Sequence, residues 1–556
     1  MRDIFEINYE FWLIVVLINI IFLVLNSLVL MFINKDTILK SFIWKTLILL
    51  ILLPIYFYIT NQFLKIEFVN FVTYFWFPSV VLIVISLLVT SSNFVSTKKG
   101  KRKSFIKKTP FNFVLKTKGS NNITFSEPFD NFLVYGGANS GKTKSLGRPL
   151  ANEFIRHNFA GFFFDYKDRD YTKAIYYMNG LRENPLPFYY LNFSDLDYSY
   201  RTNIIKKSIL TDHAELMQIM EDIFSSFMGA DSKKDEWYGG ALGILKGVAT
   251  RIYYDYPKYL TLPHIFLYCL NEHPHNIAIF CLKRPESATY AAVLKNALDS
   301  PKMLASYVTS LQRPITDFAS NKKIAYVLNG DDFDFNLIDP KEPKLFAVSN
   351  SYQIENLISP VISAMISVSS RKFTMKNKVN FVYFLDEATT FKIPDFEKMP
   401  SVLREYLCAF VFITQSNSKV EKRYDRLDRS SIEANFANQF YGRSKDVKAN
   451  RDYVQVFSKI EELKFSQTKG QSTRNTSTSI TKSIHDKDKY FTDVFGKLTP
   501  GNFIGTASNS NYEEFDLQFR QFEPFDFPEV PIVRKVSDWD IEKNYTKILQ
   551  DITYLK

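Results

Sequence analysis

The chain has 556 residues and a net charge of +11, from 69 lysines and arginines against 58 aspartates and glutamates, which favours an anionic partner such as nucleic acid or acidic lipid. Its three cysteines, Cys269, Cys281 and Cys408, are scattered and lack Cys-x-x-Cys spacing, which excludes a disulfide framework and a zinc site and fits a reducing compartment. His273 and His275 have no ligand cluster around them, so no structural metal is expected.

The first 95 residues read as membrane. Residues 11–33 form an uncharged run of 23, long enough to span a hydrocarbon core of about 30 Å as a helix. Residues 43–60 can span if Lys45 reaches the interface, and residues 71–90 carry Tyr74, Trp76 and Pro78 near their start as an interfacial belt would. The first run is too long, and its flank too acidic, for a cleaved signal peptide. Lys98, Lys99, Lys101, Arg102, Lys103, Lys107 and Lys108 crowd behind the third run. Basic residues there predict a multi-pass protein of the bacterial inner (cell) membrane with its large C-terminal part in the cytoplasm. Three spans are expected, with two as the alternative if the middle run does not cross. A basic linker follows, 96–125.

The stretch GGANSGKTKS, residues 136–145, matches the phosphate-binding pattern G-x-x-x-x-G-K-[ST] through Gly136, Gly141, Lys142 and Thr143. Glycines let the backbone aim N–H groups at an anion, so Gly136, Gly137, Ala138, Asn139, Ser140, Gly141, Lys142, Thr143 and Lys144 are the predicted cradle of a nucleotide. Lys142 would reach the β- and γ-phosphates, and the Thr143 hydroxyl would ligate Mg²⁺. A buried strand over 131–135 leads in, and a helix over 142–157 leads out, with Pro149 expected to kink or end it. Apolar strands follow at 161–167 and 188–193, the first ending in charge.

From 206 to 321 the periodicity turns helical. Asp212 and Glu215 open one helix as a capping box, Gly229 closes it, and helices over 237–254, 286–298 and 302–311 follow. Lys233, Lys234 and Asp235 read as a solvated loop. Strands return at 344–349 and at 381–387, the latter ending in Asp386-Glu387. This is the form of a second nucleotide motif, with Asp386 holding Mg²⁺ through water and Glu387 orienting or deprotonating the attacking water. The strand 410–415 ends in Gln415, placed to sense a γ-phosphate, and late strands are expected at 439–442 and 502–506. Residues 466–483, rich in Ser, Thr, Gln and Asn, read as a mobile loop. A proline-punctuated tail, 516–556, ends in an amphipathic stretch. The expected class is therefore α/β: a RecA-like P-loop nucleotide-binding domain (126–205 and 322–515) with an inserted all-α domain (206–321) and N-terminal transmembrane helices.

Ordered blocks across about residues 130–510 resemble the type IV coupling proteins, the TraG/TraD-type ATPases of conjugation and type IV secretion. They are GGANSGKTKSLGRPL, GFFFDYKDRD, LNF with SYRTN, EWYGGALGILKGV, and the long block from FVYFLDEATTFKIPDFEKMPSVLREYL to FVFITQS, followed by EANFANQFY. The resemblance implies ATP and Mg²⁺ as cofactors and a homo-hexamer around a channel. It implies delivery of a single-stranded DNA–relaxase complex, or a secreted protein, to type IV secretion channel components. It also implies Arg404 as a catalytic arginine reaching a neighbouring subunit's γ-phosphate. The helix-surface alternative for Arg404 is an ion pair with Glu405 or another carboxylate. Asp165 and Lys167 match by position without a role. Asn139 departs from the small residues or Arg frequent there, and three spans depart from the usual two. An FtsK/HerA-type motor, or a membrane recruitment receptor with a structural nucleotide site, remains as an alternative.

Overall fold

The computed structural model describes residues 109–119, 121–228, 235–471 and 476–556, with the backbone alone described over 462–485. The predicted spans, the basic run from Lys98 to Lys108, Gly229, Lys233 and Lys234 lie outside these residues. Among the described residues no helix is long and apolar enough to cross a membrane.

A small antiparallel pair, β1 (Phe113–Leu115) and β2 (Ile123–Phe125), precedes the main sheet. The apolar runs read from the sequence become its strands β3 (Phe132–Tyr135), β4 (Ala160–Asp165), β5 (Phe188–Asn192), β6 (Leu345–Ser349), β7 (Phe381–Leu385), β8 (Cys408–Thr414) and β9 (Asn438–Tyr441). After a hairpin, β10 (Lys459–Gln471) and β11 (Thr476–Asp488), come β12 (Asn502–Thr506) and β13 (Glu514–Gln518). The sheet order is β13-β12-β9-β3-β8-β7-β4-β6-β5. Every pairing from β9 to β5 is parallel, and β12 and β13 extend that edge antiparallel.

Near-continuous apolar strands mark a sheet covered on both faces. Alternate residues divide accordingly. Phe132, Val134, Phe163 and Phe384 pack with Leu150 and Phe154 of helix α1 (Arg148–Arg156) and Ile175 of α2 (Asp170–Gly180). Leu133, Tyr135, Phe162, Phe164 and Tyr383 face the opposite core.

Between β5 and β6 lie the helices α3 (His213–Phe227), α4 (Glu236–Asp255), α5 (Leu262–Asn271), α6 (Pro274–Leu282), α7 (Pro285–Tyr290), α8 (Ala292–Ala297), α9 (Pro301–Ala319) and α10 (Lys322–Leu328). Helices α5, α6 and α10 were not legible from periodicity. The predicted helix over 286–298 is broken at Ala291, where the chain closes on α4. A side chain at Gly243 would meet the Tyr290 carbonyl at 2.6 Å, and one at Gly247 the Ala291 methyl at 2.9 Å. The capping box at α3 is half formed. Asp212 accepts from the Glu215 amide at 2.8 Å, but the Glu215 carboxylate accepts from Thr211 rather than from Asp212.

One further expectation is corrected. Residues 466–471 and 476–483 are paired strand and not loop: the backbone of 459–471 pairs with 476–488 along its length. Ser/Thr-rich composition suggested a loop, yet β-branched Thr and Ile also suit a pleated strand. The tail after β13 is pinned to the rest of the fold. Phe522 N donates to the Lys144 carbonyl at 2.9 Å, Arg148 donates to the Phe525 carbonyl at 2.9 Å, and Val533 N donates to the Asp197 carbonyl at 2.9 Å. It ends in α11 (Asp538–Ile552), opened by a capping box between Ser537 and Asp540 and packed on α5 and α10.

Candidate active site

In a parallel sheet, ligands collect at the carboxyl ends of the strands. There β3, β4, β7, β8 and β9 deliver the 136–144 loop, Asp165 with Lys167, Asp386 with Glu387, Gln415, and Arg443. The sequence-predicted residues of the two motifs converge although about 245 positions separate them. Lys142 Nζ donates to Glu387 Oε1 at 3.2 Å and to the Gly136 carbonyl at 2.6 Å, and both side chains are buried. Gln415 Nε2 lies 3.4 Å from Glu387 Oε2. Glu387 sits at φ 46°, an uncommon region for a residue with a side chain and one that concentrates at functional sites.

The loop is anchored at its root. Gly136 N donates to the Thr414 carbonyl and Gly137 N to the Arg443 carbonyl, while Ser140 N closes a turn onto Gly137. These three amides, predicted to face a nucleotide, are engaged within the protein. The donors suited to an anion are those at the head of the helix, Gly141 to Lys144, where first-turn amides lack intrahelical partners. A side chain at Gly136 would meet Ser140 Oγ at 2.5 Å, which explains a glycine there. Asn139 stands at φ 57°, a conformation Asn tolerates better than most residues, so its departure from the family pattern fits the turn. The expected helix over 142–157 starts as a wide turn, Lys142–Gly147, in which Arg148 N bonds Thr143 O five residues back. Pro149 then lies in the first turn of α1, where its missing N–H is harmless. Proline thus resets the helix instead of ending it.

Asp386 is buried, and neither carboxylate oxygen has a hydrogen-bond partner among the described residues. Burial, then the neighbouring Glu387 charge, pushes its carboxyl up to about 7, against the pull of Lys167 and Lys142. Asp165 is buried too and pushed up to about 6 by burial, although Thr172 and the Lys167 amide bond it. Lys167 Nζ donates to Thr143 Oγ1 at 3.2 Å. A buried, unpartnered carboxylate at the same end of the sheet fits a divalent cation: oxygen ligands with uncompensated charge are what Mg²⁺ takes.

Arg404 is not part of this cluster. It precedes β8 at the amino end of the sheet, opposite the loop, and its half-exposed guanidinium pairs with buried Asp130 at 3.1 Å. Three supports of the site, two on the loop and one on the Glu387 turn, carry no sequence signal of their own. Gly501 N donates to the Ser140 carbonyl at 2.8 Å, Arg443 Nη2 lies 3.3 Å from the Asn139 carbonyl, and Arg423 Nε donates to the Thr389 carbonyl at 2.9 Å just after Glu387.

Residues 380–490 match the family model described as the TraM recognition site of TraD and TraG. The chain resembles the type IV coupling proteins. The fold carries the resemblance further. The bacterial conjugative coupling protein TrwBdeltaN70, unbound monoclinic form, superposes with TM-score 0.56 at 15% identity, covering 77% of this chain and 91% of that one. The plasmid coupling protein TrwB in complex with ADP and Mg²⁺ gives 0.56 at 16% identity, covering 72% and 88%. TrwB with the non-hydrolysable ATP analogue ADPNP gives 0.56 at 16%, covering 74% and 89%. No curated protein sequence matches. The likeness to TrwB establishes a mixed α/β fold with a large, mainly parallel sheet, shared with a coupling protein.

Proposed function

We propose that this chain is a membrane-anchored, Mg²⁺-ATP-dependent coupling protein. It recruits a single-stranded DNA–relaxase complex, or a protein substrate, and drives it into a type IV secretion channel as a homo-hexamer at the inner membrane. The observation that carries this reading is the Lys142–Glu387 contact at 3.2 Å, which joins the two motifs a P-loop ATPase needs. TrwB, of the same fold, has been crystallised with ADP and Mg²⁺ and with an ATP analogue, which supports the same cofactors here.

The chemistry follows from the side chains. An arriving phosphate competes for the Lys142 ammonium, which leaves Glu387 and the Gly136 carbonyl. Glu387, still within reach of Gln415, then accepts a proton from a water or orients it. Thr143 and Asp386 would hold Mg²⁺, which neutralises phosphate charge when bound. Arg404 cannot serve its own chain's loop from the amino end of the sheet. In a ring it would reach a neighbour's triphosphate, where a guanidinium stabilises transition-state charge. The helical segment 206–321 would receive cargo, and DNA contact would be mainly to backbone phosphates.

The test is ATP hydrolysis by the purified full-length chain, with and without single-stranded DNA, over a salt series. Hydrolysis stimulated by DNA, weakening with salt and abolished in Lys142→Ala, is expected. In Arg404→Ala, nucleotide binding should persist while hydrolysis falls. Absence of hydrolysis in the parent chain, or DNA binding indifferent to salt, would overturn the reading.

A further inference from the structure

The tip of β4 is built with unusual care. Asp165 is fully buried; its Oδ1 accepts from the Lys167 amide at 3.1 Å, and its Oδ2 accepts from Thr172 N and Oγ1 at 2.9 and 3.0 Å. The two residues after Lys167, Asp168 and Arg169, both have left-handed backbones, φ 42° and 74°, without being glycine. Such pairs persist where the surroundings over-determine them. Here Asn192 Nδ2 donates to Asp168 Oδ1 at 3.1 Å, and the Arg169 guanidinium lies on the Tyr198 ring at 4.0 Å and near Asp195 at 3.8 Å. The result of this bracing is one contact: Lys167 Nζ stands 3.2 Å from Thr143 Oγ1, donating into the hydroxyl that the nucleotide motif reserves for a divalent cation.

An ammonium and a divalent cation on one hydroxyl repel strongly at such separations. We infer that Lys167 is a built-in competitor for the magnesium position: its ammonium holds Thr143 in place when no metal is bound, and Mg²⁺ must displace it to enter. This rests on the proposed function, since it presumes a Mg²⁺-nucleotide at the loop. It makes Lys167 a positioning residue that keeps the loop in shape between turnovers. It also raises the free Mg²⁺ needed for nucleotide to bind. The side chain is solvent-exposed, so its removal should leave the fold intact.

The experiment is an equilibrium titration of Mg²⁺ into the full-length chain at fixed fluorescent ATP analogue, for the parent, Lys167→Ala and Lys167→Met. Thermal midpoints are compared without metal. Both variants should reach half-saturation at a Mg²⁺ concentration about fivefold lower, the equivalent of one hydrogen bond that no longer has to be broken. Unchanged or increased Mg²⁺ demand would overturn the inference. So would weaker binding of the analogue at saturating Mg²⁺, which would make Lys167 a phosphate ligand. Failure of the parent to bind the analogue at all would instead sink the nucleotide reading, and the inference with it.

Discussion

Gly501 lies about 360 positions after the phosphate loop, yet the structure makes it the loop's floor, and replacing it with alanine isolates that role. Its φ is 83°, where an L-residue pays roughly 1–2 kcal/mol relative to glycine. An added methyl would stand 2.8 Å from Ser145 Oγ and 3.0 Å from Gln518 Nε2. Both are side-chain ends able to shift, although Gln518 would strain its bond to the Pro500 carbonyl. The sum is about 2 kcal/mol. The strain falls on the Gly501 N to Ser140 O bond of 2.8 Å, and Gly141 packs directly above, where even a hypothetical Cβ would come within 2.5 Å of Gly501 N. Part of the cost should therefore surface as lost nucleotide affinity, about tenfold if 1.4 kcal/mol of it is relieved by loosening the loop. The assay is fluorescent ATP-analogue titration with a thermal melt. Gly180→Ala is the control, because a Cβ there meets nothing within 4 Å. Gly501→Ala indistinguishable from Gly180→Ala in both affinity and midpoint would refute the reasoning.

Three other outcomes follow. Lys142→Ala leaves Glu387 buried without its ammonium, so it should lower stability by about 1–3 kcal/mol, and Lys142→Ala with Glu387→Gln should recover most of that loss in a urea titration, although neither hydrolyses ATP. Asp222 on α3 is buried and ion-paired to Arg371 at 2.6 Å, with Ser367 also donating to it, so Asp222→Ala should cost about 2–3 kcal/mol by the same titration. His264 on α5 is buried against α11, its Nδ1 2.7 Å from Thr261 Oγ1, and burial pushes its imidazole down to about 4 from an ordinary 6.5. The folded state then binds fewer protons than the unfolded one between these values. Stability from this site is full above pH 6.5 and is lost as pH falls below it; His264→Asn should flatten that slope, and an unchanged slope would contradict the assignment.

How much of this was legible in the sequence depends on the range of the interaction. Strand positions were clear because a sheet covered on both faces needs unbroken apolar runs, as in 161–164 and 381–385. The motif residues were clear because phosphate chemistry fixes local spacing. The short helices α5 and α6 carry apolar residues nearly all round, with most side chains of α5 buried, so no one-sided stripe announced them. Residues 466–483 misled because composition reports solvation while pairing depends on the partner strand, and Ser/Thr/Ile runs serve either state.

The supports of the site were illegible for a different reason. Gly501 reaches the loop through its backbone amide, and the Arg443 and Arg423 guanidinium groups reach the backbone carbonyls of Asn139 and Thr389, which any residue at those positions supplies, so the motif spelling cannot record the contacts. What placed them is strand order. Because β8 lies between β3 and β7, the Thr414 carbonyl at the end of β8 takes Gly136 N on one side while Thr414 Oγ1 lies 2.9 Å from Thr389 Oγ1 on the other. One residue thereby ties the root of the phosphate loop to the turn that carries Asp386 and Glu387. Arg423, which grips the Thr389 and Thr390 carbonyls, extends this tie to the helix beyond β8. Coupling between nucleotide state and the rest of the molecule needs only a connected chain of this kind with two arrangements.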